Sequence, residues 1–132
     1  TIYKLTTIST VFMKNSESLK LARTFLGKEV QLEFDQQVGS SYEPHKIESY
    51  PINYGYVPGT IAPDGDALDA YLLNVNVPLE KATGICIAII HRRDDDDDKL
   101  VVVPKLMELT DEEIMDQVKF QEHLYDSVVV RK

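Results

Sequence analysis

The spacing of hydrophobic positions changes several times along the chain, and each change predicts an element. Leu19, Ala22 and Leu26 fall at i, i+3 and i+7, which predicts a helix over residues 16–26 with Gly27 at its C-terminal cap. The period then drops to two. Val30, Leu32 and Phe34 alternate with Glu29, Gln31, Glu33 and Asp35, as in a half-buried strand. Residues 36–48 read as a polar loop. Residues 70–77 alternate again through Leu72, Asn74 and Asn76, until Pro78 ends the pattern. Residues 85–90 and 100–103 are continuous apolar runs rich in β-branched side chains, which predicts buried strands. Thr110 followed by Glu113 is a capping box, opening a helix expected to reach about residue 125, and a last strand follows over 127–131. Several short strands with one clear C-terminal helix describe a mainly β (α+β) domain, a small closed or partly closed barrel with helices packed outside it.

Length and charge narrow the class. The chain has 132 residues, enough for one domain and one core. Met13 opens a segment that looks like an ordinary start, so residues 1–15 are expected to be a flexible N-terminal extension of a single domain spanning 1–132. The 22 acidic against 14 basic side chains leave a net charge of −8. That argues against nucleic acid and against an anionic membrane surface as partners, and it suits divalent cations. The longest apolar run, at 85–90, is six residues and far too short to span a bilayer. Its single cysteine, Cys86, reads as a buried structural thiol in a reducing compartment. A cytoplasmic location is expected, and a homo-oligomer is compatible with the composition.

The chemistry concentrates in two acidic clusters. Asp64, Asp66 and Asp69 lie within six residues, with Gly65 allowing a tight turn between the first two. Oxygen donors without a nearby His or Cys suit Mg²⁺ or Mn²⁺ and not zinc. A helix–loop–helix calcium loop is excluded, because its sixth position would be Asp69 instead of Gly and its twelfth Val75 instead of Glu. The second cluster, Asp94 to Asp98, lies between two apolar strands and reads as a hairpin tip. Adjacent carboxylates repel one another, so the two clusters are expected to form one multi-metal site. Tyr54, in the aromatic segment between Tyr50 and Tyr56, is a candidate donor to a phosphate oxygen, or one of several rings packing a turn.

Tyr50-Pro51-Ile52-Asn53-Tyr54-Gly55-Tyr56, followed by Asp64-Gly65-Asp66-Ala67-Leu68-Asp69, resembles the signature of the soluble family I inorganic pyrophosphatases. Asp97-Asp98-Lys99 and the strand ending at Pro104 resemble that family's later element. The resemblance covers residues 28–104 and implies a small OB-like β-barrel and Mg²⁺-dependent hydrolysis of pyrophosphate to two phosphates by a metal-activated water. It implies Asp64, Asp69, Asp97 and Asp94 as metal ligands and Asp66 as general base. Lys99 and Tyr54 would contact phosphate, and Glu33 matches a family active-site glutamate.

The departures fall on the cations. Gln31 stands where a lysine is expected, and Leu124 and Tyr125 stand where a Tyr-Lys phosphate clamp is expected. The expected arginine before Tyr50 has only Tyr42, His45 and Lys46 near its place. On this alignment a cation restored at position 125 would strengthen the hold on phosphate. Two other functions follow from the same pattern: a metal- and phosphate-binding protein without turnover, and a metal-dependent hydrolase of a related phosphoanhydride or phosphoester.

Overall fold

The computed structural model describes residues 16–131, so the extension expected at 1–15 lies outside the described residues. The elements are α1 (Glu17–Arg23), β1 (Glu29–Gln36), β2 (Asn53–Tyr56), β3 (Asp69–Leu72), β4 (Lys81–Arg92), β5 (Lys99–Val103), α2 (Asp111–Glu122) and β6 (Ser127–Val130). The sheet order is β1-β2-β3-β5-β4-β6, and β1 also pairs with β4. That last pairing closes five strands into an OB-like barrel and leaves β6 outside it, on the far end of β4. One long strand can serve three neighbours because its segments are used in turn. Residues from Lys81 to Ile85 pair with β1, Ile85 to Ile90 with β5, and Ile89 to Arg92 with β6. A register shift between Cys86 and Ala88 bends it on the way.

The continuous apolar runs have a physical cause in this layout. Leu100 and Val102 point into the barrel with Leu32, Phe34, Leu72 and Ile89, while Val101 and Val103 point outward against Ile114 and Val118 of α2. A strand covered on both faces has no polar face to show. Burial of each such aliphatic side chain contributes about 1.5–3 kcal/mol. Cys86 lies wholly inside the barrel, and burial pushes its thiol up to about 11, as expected of a structural cysteine.

Both helices begin where the caps predict. The Leu19 amide donates to Ser16 Oγ, and Thr110 and Glu113 form the reciprocal capping box. Both regular helices end earlier than expected, at Arg23 and Glu122, with turns continuing to Gly27 and Tyr125. The strand expected over 70–77 stops at Leu72, because Asn74 takes a left-handed φ of 62° and turns the chain away. The aromatic segment supplies an unforeseen strand, β2. There Gly55 is obligatory, since a Cβ would meet the Glu33 carbonyl oxygen at 1.8 Å.

Candidate active site

One open pocket of about 410 Å³ gathers the charged side chains; its acidic members are Asp35, Asp66, Asp69 and Asp97, and its basic ones Arg92 and Lys99. Of the larger clefts, those of about 720 and 600 Å³ bring together no more than one carboxylate each, and one of about 450 Å³ gathers Glu112, Glu113 and Asp116 with Lys119, all exposed along α2. Strand geometry builds the charged pocket. Asp69 opens β3, Lys99 opens β5, and the two are Cα partners across a parallel pair. Lys99 Nζ lies 2.7 Å from Asp69 Oδ2 and 3.0 Å from Asp97 Oδ1. The lysine is buried, at 1% exposure, so these carboxylates supply the counter-charge that makes its burial tolerable. Its ammonium also lies 5.9 Å from the centroid of the Tyr54 ring.

Asp69 titrates above the usual carboxylate range, because burial outweighs the pull of Lys99. Burial, followed by the nearby Asp69 carboxylate, raises the Tyr54 phenol well above its ordinary value. Tyr54 is thus a proton-bearing donor throughout the physiological range. Tyr50 and Tyr71 brace it, with ring centroids 6.1 and 4.9 Å away.

Asp66, Asp69 and Asp97 come together with Lys99 and Tyr54 in the pocket. Asp64, Asp94 and Glu33 are not among its lining residues. Asp64 Oδ1 accepts the Asp66 amide at 2.9 Å and shapes the turn. Asp94 Oδ2 accepts the Asp126 amide at 3.1 Å, and Glu33 faces the Tyr56 hydroxyl at 3.4 Å.

The expectation that the Asp94–Asp98 run needs bound cations is answered by the chain itself. Asp96 accepts from the Ser16 hydroxyl and the Ser18 amide at the start of α1. Asp98 is buried and accepts the Arg92 amide, with His91 Nδ1 3.0 Å away. Asp95 and Asp97 face Arg92 at 3.8 and 3.5 Å. Every carboxylate of the run has a partner in the protein, and only Asp97 lines the pocket. Among the described residues no group of three or more His, Cys, Asp or Glu side chains is arranged to hold a metal ion.

Sequence reasoning missed Arg92 and Asp35, which line the same pocket. An arginine two positions before five aspartates reads as a solvated charge, yet Arg92 is 3% exposed. The available signal was that a short acidic run needs a counter-charge near it. His45 and Tyr125 also line the pocket, Nε2 to Oη 3.4 Å apart, and His45 Nδ1 is buried without a hydrogen-bond partner among the described residues.

A closed five-stranded barrel carries, at its strand ends, a mixed pocket of carboxylates, tyrosine phenols, one ammonium and one guanidinium, on an OB-like scaffold. The family model described as inorganic pyrophosphatase matches residues 24–129, and the chain belongs to that family. No curated protein sequence matches the chain. Among solved structures, an inorganic pyrophosphatase from Neisseria gonorrhoeae shares 22% identity over 74% of this chain and 76% of its own, with a TM-score of 0.55. One from Thermus thermophilus shares 18% identity over 79% and 80%, with a TM-score of 0.52. The chain spans 62% of the length of the Ehrlichia chaffeensis inorganic pyrophosphatase. These likenesses concern the fold.

Proposed function

We propose that the pocket hydrolyses inorganic pyrophosphate with the help of a divalent cation, Mg²⁺ or Mn²⁺. The observation that supports this most is the meeting of Lys99 with Asp69 and Asp97, which brings two distant chain segments to one point beside Asp66 and Tyr54. Asp66 and Asp69 both line the pocket, and carboxylate oxygens of this kind suit a hard cation. An ion held there supplies neutralisation of the substrate's charge and a more acidic water.

The chain's own groups have distinct tasks in this reading. Asp66, exposed at the pocket rim, accepts the proton of the attacking water. Lys99 donates charge-assisted hydrogen bonds to phosphoryl oxygens where negative charge develops. Tyr54 keeps its proton and donates to a second phosphate oxygen. This reading gives no task to Glu33, which faces the Tyr56 hydroxyl, or to Asp94, which accepts the Asp126 amide.

A phosphate-release assay over pyrophosphate, a nucleoside triphosphate and a phosphomonoester, with Mg²⁺ and with EDTA, tests the proposal. Release from pyrophosphate alone, abolished by EDTA, is the expected result. Phosphate binding without release would identify a binding protein, and release from another substrate a related hydrolase.

A further inference from the structure

Arg92 has no task in the reaction above, yet it is the most firmly built cation of the pocket. Its Nε and Nη2 donate to the two oxygens of Glu122 at 3.0 and 2.8 Å. Glu122 is itself buried and also accepts from the hydroxyls of Tyr71 and Ser127. The Tyr125 ring covers the guanidinium plane, 3.6 Å from Cζ to the ring centroid. Held by Glu122 and under Tyr125, the guanidinium turns Nη1 toward Asp97 Oδ2 at 3.5 Å and Asp95 Oδ2 at 3.8 Å. Lys99 Nζ meets the other oxygen, Asp97 Oδ1, at 3.0 Å. Both oxygens of Asp97 therefore face a side-chain cation.

We propose that Arg92 is a resident cation that stands in for a divalent ion at Asp97 and confines metal binding to the Asp66 and Asp69 side of the pocket. The inference rests on the reading that this pocket takes a divalent ion. A second ion at Asp97 would have to sit beside a guanidinium that cannot swing away, and like charges at such short range repel. A guanidinium also never gives up its proton in a protein, so the charge persists at every pH at which carboxylates bind metal. Arginine suits the position better than lysine because one face of its fork locks on Glu122 while the third nitrogen stays directed at the pocket.

The experiment counts Mn²⁺ bound to the full chain by equilibrium dialysis, with the free-ion electron paramagnetic resonance signal as readout and no substrate present. The paired variant R92Q/E122Q removes both charges and keeps polar partners of similar length, so no buried carboxylate is left alone. It is expected to bind at least one Mn²⁺ more than the parent, or the same ion about tenfold tighter. Unchanged number and affinity in a variant that melts cooperatively would overturn the proposal. Should that variant fail to fold, D97N and D69N in the parent decide. With Arg92 in place, D97N is expected to weaken Mn²⁺ by less than about tenfold while D69N weakens it by about a hundredfold or more. Equal losses in the two would make Asp97 a ligand and end the idea. Pyrophosphate hydrolysis is measured separately: a parent that binds Mn²⁺ without turnover sinks the proposed reaction and leaves the role of Arg92 standing.

Discussion

Asp69 and Lys99 are Cα partners across the parallel β3–β5 pair, and their side chains close a 2.7 Å ion pair at the mouth of the barrel. Both residues open their strands, so the register of the sheet sets the distance between carboxylate and ammonium. Asp69→Asn removes the charge from the side of the pocket where cation binding is proposed and keeps the side chain's shape. Hydrolysis is expected to fall by at least about two decades, since a cation's contribution depends on that charge. Steady-state phosphate release checks it, and near-normal turnover in the variant would refute the assignment.

Asp98 belongs to the scaffold despite its place in the acidic run. It is buried against the Arg92 amide and His91, and its own amide donates to Ser18 Oγ at 2.7 Å. Burial raises its carboxyl, with the Arg92 amide and His91 opposing. Asp98→Ala strands a buried amide and an imidazole, at a cost of about 2–3 kcal/mol. For a domain of this size that lowers Tm by roughly 5–12 °C. A melting curve unchanged within error would show that the acidic run is solvated after all.

Much of this architecture is written in the hydrophobic pattern, and the reasons are local. Thr110 and Glu113 mark a helix start because they satisfy its first amides themselves. The 100–103 run marks a two-sided strand because no face is spared. Strand β2 escaped because it holds only four residues and its alternation is inverted, with Asn53 and Gly55 buried and the two tyrosines half-buried. Arg92 escaped because its partner Glu122 is thirty positions away, and nothing local distinguishes a buried arginine from a solvated one. The pocket's carboxylates were legible as motifs; which of them the fold turns inward was not, because one-residue steps in a turn decide it.

Gly55 lies where β1 and β2 approach most closely, paired with Phe34 on one side and Ala70 on the other. Gly55→Ala would put a methyl 1.8 Å from the Glu33 carbonyl oxygen, so the pairing must open. A loss of at least about 3 kcal/mol is expected. Denaturant unfolding checks it, and a midpoint within error of the parent would contradict the strand packing.

The Glu122–Arg92 pair predicts a pH-dependent stability gap. Burial pushes the Glu122 carboxyl up, but hydrogen bonds and charge from Arg92, aided by Ser127 and Tyr71, more than offset it and leave the group below its usual range. A depressed carboxyl contributes stability that is complete above its unfolded value, about 4.3, and is lost as pH falls through the lower folded value. Glu122→Gln lacks that contribution at every pH. The Tm difference between parent and variant is therefore expected to be widest near pH 7 and to shrink below about pH 4. Melting curves across that range test it; a difference that stays constant would assign the stabilisation to packing instead of charge.

Position 125 reverses an expectation drawn from the sequence. A lysine there would restore the cation that the family's clamp carries, and by that reasoning should improve kcat/KM for pyrophosphate. The structure puts Tyr125 over the Arg92 guanidinium at 3.6 Å, with its hydroxyl 3.4 Å from His45 Nε2. The pocket thus already holds a cation at this wall, and the tyrosine is its cover. Tyr125→Lys would delete a cation–π contact worth about 0.5–2 kcal/mol and place a second positive charge against the first. The expected result is a Tm lower by a few degrees and a kcat/KM no higher than the parent's, whereas Tyr125→Phe keeps the ring and stays close to the parent in both. A Tyr125→Lys protein with unchanged Tm and a raised kcat/KM would mean that the guanidinium needs no cover and that the absent clamp, not the resident arginine, limits the hold on phosphate.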